Sequence, residues 1–237
     1  MNDISERLLI IIPTYNEVHN INKLIMKIRK YIPDCGILVV DDNSPDGTAS
    51  NVKNMQKQDK NIHLLQRGGK LGLASARTTG LKRGLDKGYE YLCEMDADLS
   101  HNPKYLKKFI EKITEYDFII GSRYIQGGGV LNWPLRRKIL SKVGNFFSRL
   151  ILSTPIHDFT GGFNMWRKQV LENMDLDGIE SEGFSFHIEL KYKAYKKGFS
   201  FKEVPIVFEE RVQDASKMSK KIIFEAFWRV ILFRFWF

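Results

Sequence analysis

The feature that most constrains this chain is a regular alternation of short apolar runs with amphipathic stretches across its first half. The apolar runs lie at 8–12, 37–40, 62–65, 91–95 and 118–120, and stretches with helical spacing lie at 21–31, 48–56, 73–85 and from about 103. Such alternation predicts an α/β fold with a mostly parallel, Rossmann-like sheet flanked by helices. At 237 residues the chain is long enough for one such domain with short appendages.

The charge balance indicates an anionic partner. The chain has 37 Lys and Arg against 28 Asp and Glu, a net charge of +9, which suits nucleic acid, anionic lipid or a phosphorylated substrate. Its two cysteines, Cys35 and Cys93, show no metal-binding or redox spacing and are interpreted as small buried hydrophobes. Together with the absence of an apolar leader at the N-terminus, they predict a protein that faces the cytosol.

The pattern changes after the fifth predicted strand. The glycine run within 124–134 predicts a loop, because three glycines carry a heavy entropic cost in regular structure. The stretch 135–152 repeats apolar residues at helical spacing with basic residues between them, which predicts a basic amphipathic helix. We therefore expect a catalytic domain at 1–221, with peripheral amphipathic helices and a separate C-terminal segment.

The C-terminal segment, 222–237, is densely aromatic but carries charges, and it is shorter than the roughly 20 residues that a spanning helix needs. We expect it to lie on a membrane surface. Two alternatives stay open at this stage: the segment docks on the core of the domain, or a partner subunit covers its aromatic side chains.

An acidic pair follows the fourth predicted strand. Asp96 and Asp98 can bind a hard divalent cation through oxygen ligands only, which suits Mg²⁺ or Mn²⁺. Ligands of open α/β sheets bind beyond the carboxyl ends of the strands, where the segments 13–17 and 41–47 are also expected. The segment 41–47 is equally typical of a capped turn, because Asp, Asn, Ser, Pro and Gly all favour turns.

Five motifs carry a resemblance to a known family. The sequences PTYNE at 13–17, DDNSPDGT at 41–48, DADLSHNP at 96–103, GSRY at 121–124 and DFTGGF at 158–163 resemble those of the dolichol-phosphate mannosyltransferases. Their order and spacing match across nearly the whole chain. The resemblance implies the GT-A fold, inverting transfer from GDP-mannose, a divalent metal (Mg²⁺ or Mn²⁺) and a dolichyl or polyprenyl phosphate acceptor.

The resemblance also implies roles for individual residues. On the donor side it implies nucleoside contacts for Pro13, Tyr15, Glu17, Val40 and Asp42, diphosphate contacts for Asp96, Ala97 and Asp98, and a closing loop that contains Arg211 and Lys217. The implied metal residues are Asp96, Asp98 and Ser100, the acceptor-phosphate residues are Arg123, Arg137 and Ser141, and the catalytic residues are Asp98, Arg123 and Arg211. The chain departs from the family pattern in the closing loop, which lacks the usual glycine, and at Asn43 and Asn164.

Elementary chemistry supports part of this assignment. A guanidinium group binds phosphate through two parallel hydrogen bonds, and Ser141 lies one helical turn after Arg137 on the same predicted face. The other basic residues of 135–152 are interpreted as a stripe that meets anionic lipid headgroups. Asp158 fits either the acceptor side or a turn. A phosphate monoester is largely ionised at neutral pH, so its attack requires no general base.

Three other functions remain alternatives. The same fold could use a UDP-sugar donor or a hydroxyl acceptor, although a hydroxyl would need a base beside the basic helix. Nucleic-acid binding is disfavoured, because the aromatic residues cluster with aliphatic ones and no nucleic-acid-binding module is present. An inactive scaffold would not need the clustered acids. We therefore predict a peripheral enzyme on the cytosolic face of a membrane, with a small membrane-anchoring subunit as an open possibility.

Overall fold

The computed structural model describes residues 2–179, 181–209 and 220–236. Its strands are β1 (Leu8–Thr14), β2 (Gly36–Asp41), β3 (Ile62–Gln66), β4 (Tyr91–Glu94), β5 (Phe118–Ser122), β6 (Gly129–Leu131), β7 (Asn164–Arg167), β8 (Phe201–Pro205) and β9 (Val207–Glu209). Its helices are α1 (Asn2–Glu6), α2 (Ile21–Tyr31), α3 (Thr48–Gln58), α4 (Leu73–Asp86), α5 (Leu106–Ile113), α6 (Leu135–Leu152), α7 (Lys168–Glu172), α8 (Gly183–Lys196) and α9 (Lys220–Trp236), and a short 3₁₀ turn, Pro103–Tyr105, precedes α5.

The main sheet confirms the predicted α/β architecture. Its order is β3-β2-β1-β4-β7-β5-β8, and every pairing is parallel except those of β7, which runs antiparallel to both β4 and β5. Helices cover both faces, so β1 and β2 are buried along their whole length. Alternate residues of β1 serve different cores: Leu8 and Ile10 join the one that contains α2 and α5, and Leu9 and Ile11 join the other.

Helix α4 lies unusually close to the sheet. A Cβ atom at Gly80 would lie 2.4 Å from Ile11 Cγ2, and one at Gly84 would lie 2.4 Å from Leu92 Cδ2. Glycine at both positions therefore lets the helix pack directly on β1 and β4. The same helix carries Arg77, which is buried beside the end of β4.

The direction of β7 decides what reaches the carboxyl edge of the sheet. Because β7 is antiparallel to β4 and β5, its first residue lies where those two strands end. Residues 158–163, which immediately precede β7, therefore enter at the edge where a parallel α/β sheet binds its ligands.

The glycine-rich segment is not irregular throughout. Gly129–Leu131 forms β6, which pairs in parallel with β9, so the predicted loop is wrong at these three residues. Pairing with β9 satisfies their backbone groups, which local sequence alone does not reveal. A Cβ atom at Gly128 would lie 2.6 Å from the carbonyl oxygen of Ser122, so close backbone packing requires glycine there.

The two predicted peripheral helices pack against each other. Helix α6 has the predicted bounds, and Phe147 on it lies 4.6 Å from Phe227 on α9, measured between ring centroids. Val230 and Phe233 of α9 are buried in the core. The described helix therefore docks on the domain, which was one of the two alternatives to a position on a membrane surface. Within the described ranges, no helix has both the length and the apolar character needed to cross a bilayer.

Candidate active site

A cavity of about 340 Å³ is lined by most of the predicted metal and acceptor residues. Asp96 and Asp98 line it after β4, Arg123 lines it after β5, and Arg137 and Ser141 line it from α6. The rest of its wall is largely apolar, with contributions from Leu140, Phe147, Phe184, Ile188, Phe227 and Val230. The structure thus brings the acidic pair and the predicted acceptor residues to one cavity, whose apolar part lies between α6, α8 and α9. Ser100, the third predicted metal residue, is not part of the described wall.

Asp98 is held by a tight turn. Its Oδ1 accepts hydrogen bonds from the backbone N–H of Ser100 at 3.0 Å and from the Ser100 hydroxyl at 2.5 Å, across Leu99 with φ of 66°. Ser100 is almost completely buried, so the structure places it behind the carboxylate, where it orients Asp98. The other carboxylate oxygen of Asp98 makes no hydrogen bond within the described part of the chain.

Asp96 belongs to a buried charge network. Arg77 forms an ion pair with Asp96, and it also lies 3.4 Å from Glu94 Oε1 and donates to the carbonyl of Gly162 at 3.1 Å. The second oxygen of Glu94 accepts from Trp166 Nε1 at 2.9 Å. Burial acts to raise the pKa of Asp96, but Arg77, together with His101 and Arg123, holds that pKa below its ordinary value. Asp96 is therefore ionised at neutral pH.

His101 supports the same carboxylate from the other side. Its Nδ1 accepts the backbone N–H of Asp96 at 2.9 Å, its ring stacks on Phe163 at 5.0 Å, and its Nε2 lies 3.7 Å from Asp96 Oδ2. Burial lowers the pKa of His101, so the ring is neutral. Because Nδ1 accepts a hydrogen bond, the ring proton is assigned to Nε2, the nitrogen that faces Asp96.

The acidic pair fits a hard divalent cation. Its donors are carboxylate oxygens, and Asp98 has one oxygen without a hydrogen bond among the described residues, as an oxygen-ligated Mg²⁺ or Mn²⁺ site requires. The described residues contain no group of three or more His, Cys, Asp and Glu side chains arranged to hold a metal.

Arg123 is fixed by Asp158. Its Nε and Nη2 donate to the two oxygens of Asp158, each at 2.7 Å, and Nη2 also donates to Thr160 Oγ1 at 2.9 Å. Asp158 is fully buried; burial acts to raise the pKa of Asp158, but Arg123 holds it below its ordinary value. Asp158 also acts as a turn residue, because its Oδ1 accepts the backbone N–H of Gly161 at 3.0 Å, so it both shapes the loop and binds the predicted acceptor residue Arg123. Arg123 Nη1 makes no hydrogen bond to any described residue.

Aromatic rings surround the two arginines. The Arg123 guanidinium lies 5.5 Å from the ring of Trp133 and 5.7 Å from that of Phe208, and Arg137 lies 4.1 Å from the Trp133 ring. Trp133 therefore lies against both cations, which limits their movement. Ser141 lines the cavity beside Arg137, and its Oγ accepts from the Tyr124 hydroxyl at 2.6 Å.

The predicted nucleoside residues form a separate group at the ends of β1 and β2. Asp42 accepts from Arg67 Nε at 2.5 Å and from the backbone N–H of Leu71 at 3.0 Å, so both of its oxygens already have partners. Tyr15 is partly exposed, and the ammonium of Lys70 lies 4.1 Å from its ring. Residues 67–73 thus contribute a wall of this region that the motifs did not indicate.

Other predicted donor residues are less accessible. Val40 and Ala97 have their side chains in the core, so only their backbone atoms could contact a ligand. Pro13 is also buried, and Glu17 accepts from Asn20 Nδ2 at 2.6 Å. Arg211 and Lys217 lie outside the described residues.

The neighbouring Asp41 acts as a turn residue. It is fully buried and accepts hydrogen bonds from the hydroxyl of Thr14 at 2.8 Å and from the backbone N–H and hydroxyl of Ser44 at 2.9 and 2.6 Å. The segment 41–47 is therefore a structured turn, which was one of the two interpretations of this motif.

The fold and the acidic site define a glycosyltransferase. The model for glycosyl transferase family 2 matches residues 9–175, and the chain belongs to that family. It is 44% identical over 228 residues to the polyprenol monophosphomannose synthase of Mycolicibacterium smegmatis, covering 95% of this chain and 86% of that protein. It is 40% identical over 220 residues to the undecaprenyl-phosphate mannosyltransferase of Micrococcus luteus, covering 93% and 90% of the two chains.

Solved structures confirm the GT-A fold. A mannosyltransferase from Pyrobaculum calidifontis, solved in complex with GDP-Man and Mn²⁺, matches with a TM-score of 0.61 at 19% identity, over 89% of this chain and 58% of that one. Glucosyl-3-phosphoglycerate synthase from Mycobacterium tuberculosis, solved with Mn²⁺, UDP and phosphoglyceric acid, matches with a TM-score of 0.66 at 11% identity, over 95% and 76% of the two chains. At these identities the likeness concerns the fold alone.

Proposed function

We propose that this protein transfers mannose from GDP-mannose to a polyprenyl or dolichyl phosphate with inversion, producing polyprenyl-phosphate mannose. The observation that carries the proposal is the single cavity in which the acidic pair faces Arg123 and Arg137 beside an apolar wall. This arrangement suits a diphosphate donor on one side and a lipid phosphate on the other. Two relatives that are at least 40% identical to this chain over the aligned residues are named for mannosyl transfer to such lipids.

On the donor side, Asp96 and Asp98 would hold Mg²⁺ or Mn²⁺, and the bound cation would neutralise negative charge on the departing diphosphate. Arg77 and His101 keep Asp96 ionised and oriented, and the Ser100 turn does the same for Asp98. The nucleoside would bind between the segment 13–17, Asp42 and the wall at 67–73. Arg211 and Lys217 remain proposed donor-side residues that close over the diphosphate.

On the acceptor side, the phosphate is itself the nucleophile. With a second pKa of about 6, a phosphate monoester is largely dianionic at neutral pH. One of its oxygens attacks the anomeric carbon from the face opposite the diphosphate, and the bond from that carbon to the GDP oxygen breaks as the new bond forms. GDP leaves with the electron pair, and no proton has to be removed. Arg123 and Arg137 would align the phosphate and reduce its repulsion from the donor.

The described wall of the cavity supports an acceptor that is already ionised. Its carboxylates are Asp96 and Asp98, which form the acidic pair. His101 Nδ1 already accepts a backbone N–H, and burial holds the pKa of His187 well below its ordinary value, so both rings are weak proton acceptors. A hydroxyl acceptor would need a stronger base than these groups provide.

A transfer assay tests donor and acceptor together. Purified protein with Mn²⁺ or Mg²⁺ would be incubated with radiolabelled GDP-mannose or UDP-sugars and with a short polyprenyl phosphate or the corresponding alcohol. We expect label to enter the organic phase only from GDP-mannose with the phosphate. Transfer from a UDP-sugar instead, or transfer to the alcohol, would contradict the proposal.

We also propose that the protein binds the membrane surface through α6 and α9. An exposed apolar stripe runs along one side of α6, and Trp228 and Phe235 are exposed on α9. The α6 stripe consists of Leu135, Ile139, Val143, Phe146 and Leu150. Arg136, Lys142 and Arg149 are also exposed on α6, so apolar insertion and attraction to anionic headgroups would act together.

The double substitution V143E/F146E should weaken binding to vesicles of anionic phospholipid at least about tenfold, or roughly 1.4 kcal/mol. Two carboxylates would enter the apolar stripe and repel the headgroups. Vesicle co-sedimentation measures the effect, and M26E on the exposed side of α2 is the matched control. Equal vesicle binding by both variants would overturn the proposal. If the protein bound vesicles only after a small membrane-anchoring subunit was added, the surface would be assigned to that subunit instead.

A further inference from the structure

A buried lysine holds the loop behind Arg123. Lys191 on α8 is completely buried, and its Nζ donates to the carbonyl oxygens of Asp158 at 2.9 Å, Phe159 at 3.1 Å and Gly161 at 2.8 Å. A protonated amine has three N–H donors, and here each has one carbonyl acceptor. None of the five sequence motifs contains this residue.

The backbone and the side chains of the loop at 158–161 bind different partners. Its backbone carbonyls point to Lys191, whereas the side chains of Asp158 and Thr160 bind Arg123. The backbone N–H of Gly161 donates to Asp158 Oδ1 at 3.0 Å, which ties the carboxylate to the loop itself. A shift of the loop backbone would therefore move the groups that orient the Arg123 guanidinium.

The backbone of this loop is closely packed, which leaves little space for another conformation. A Cβ atom at Gly162 would lie 2.9 Å from Arg77 Nη2 and 3.0 Å from His187 Nε2, so the backbone is packed against both side chains. Buried carbonyls without donors are costly, and three that converge on one point need a donor with several N–H groups. A lysine ammonium meets that need at the expense of burying a charge.

We propose that Lys191 is a positioning residue for the acceptor phosphate. By binding the carbonyls of Asp158, Phe159 and Gly161 it fixes the loop, and through the loop it fixes Arg123. The inference rests on the proposed function, because it requires that Arg123 binds the lipid phosphate. It assigns to α8 a part in acceptor recognition, and it predicts a larger effect on the acceptor than on the nucleotide.

The pKa of Lys191 lies in a range where its positioning role can be tested by changing the pH. Burial lowers the pKa of Lys191 to about 8; Asp158 in the loop, Glu94 on β4 and Glu203 on β8 act to raise it, and Arg123 on β5 acts to lower it. His187, one turn earlier on α8, also interacts electrostatically with Lys191, and burial holds its own pKa well below its ordinary value. As pH rises through about 8, the neutral amine has two N–H groups for three carbonyls.

The stability of the folded protein should increase with pH over the range in which acceptor binding weakens. The pKa of a lysine in the unfolded chain is about 10.4, so between about pH 8 and pH 10.4 the unfolded state binds more protons than the folded state. The contribution of this group to stability therefore increases with pH over that window. A loss of acceptor binding there would not be explained by unfolding through Lys191.

The test is a pair of KM measurements across pH, with a short polyprenyl phosphate and with GDP-mannose. For the wild type we expect the acceptor KM to rise about tenfold between pH 7 and about pH 9.5, while the GDP-mannose KM stays within about twofold. K191M should show the raised acceptor KM already at pH 7, with no further rise. K196M, an exposed lysine on the same helix, is the matched control and should follow the wild type.

The outcomes separate the two proposals. An acceptor KM that stays flat with pH in an active wild type, or a K191M variant with a normal acceptor KM, would overturn the role of Lys191 and leave the proposed function intact. If K191M does not fold, the wild-type pH profile decides alone. A wild type that transfers no mannose to polyprenyl phosphate at any pH would overturn both.

Discussion

R123M is expected to lower kcat/KM for polyprenyl phosphate by about 10²- to 10³-fold, because the nucleophile loses a fixed positive charge in a buried site. The substitution should also destabilise the protein by roughly 3–5 kcal/mol, since Asp158 would remain buried without its partner. Steady-state kinetics measures the first effect and urea denaturation the second.

The double variant R123M/D158N separates these two effects. Asparagine removes the uncompensated charge and keeps one oxygen that can accept the backbone N–H of Gly161, so much of the lost stability should return. Turnover should not return, because the phosphate still lacks its guanidinium. A double variant with near-normal turnover would show that Arg123 contributes to folding alone.

D98N is expected to lower turnover by about 10³-fold and to weaken Mn²⁺ binding measured by electron paramagnetic resonance. The amide oxygen can still accept the two hydrogen bonds from Ser100, so the turn should persist and stability should change by less than about 1 kcal/mol. Loss of function would therefore reflect the missing charge at the acidic pair.

D177N is the matched control for this prediction. Asp177 is an exposed acid whose ion pair with Lys82 lies on the surface, and the same substitution there should change neither Mn²⁺ binding nor turnover. If D98N bound Mn²⁺ and turned over like the control, the acidic pair could not be the metal site.

Much of the fold could be predicted because its signals are local. Amphipathic spacing defined Ile21–Tyr31 and Leu135–Leu152 at both ends, and apolar runs located β1 to β5 to within two residues, whereas the parallel strand β8 was not predicted. The meeting of the acidic pair with Arg123 followed from a topological rule, because both follow strands of one sheet. The direction of the four-residue strand β7 has no comparable signal in its own sequence.

The residues that could not be predicted are buried charges with distant partners. Arg77 and Lys191 lie on helices, where a basic residue usually indicates a solvated face, and their partners Asp96 and Asp158 are far away in sequence. Their burial depends on how α4 and α8 pack on the sheet, which local patterns do not specify. The pairing of Asp42 with Arg67, which follows β3, was missed because the two residues are 25 positions apart in sequence.

The reversed strand β7 brings one loop into contact with both proposed sides of the reaction. Residues 158–163 lead into β7 at the edge where β4 ends. Asp158 in this loop binds Arg123, and the Gly162 carbonyl accepts from Arg77, the partner of Asp96. Evolutionary change in this segment is therefore constrained from both sides.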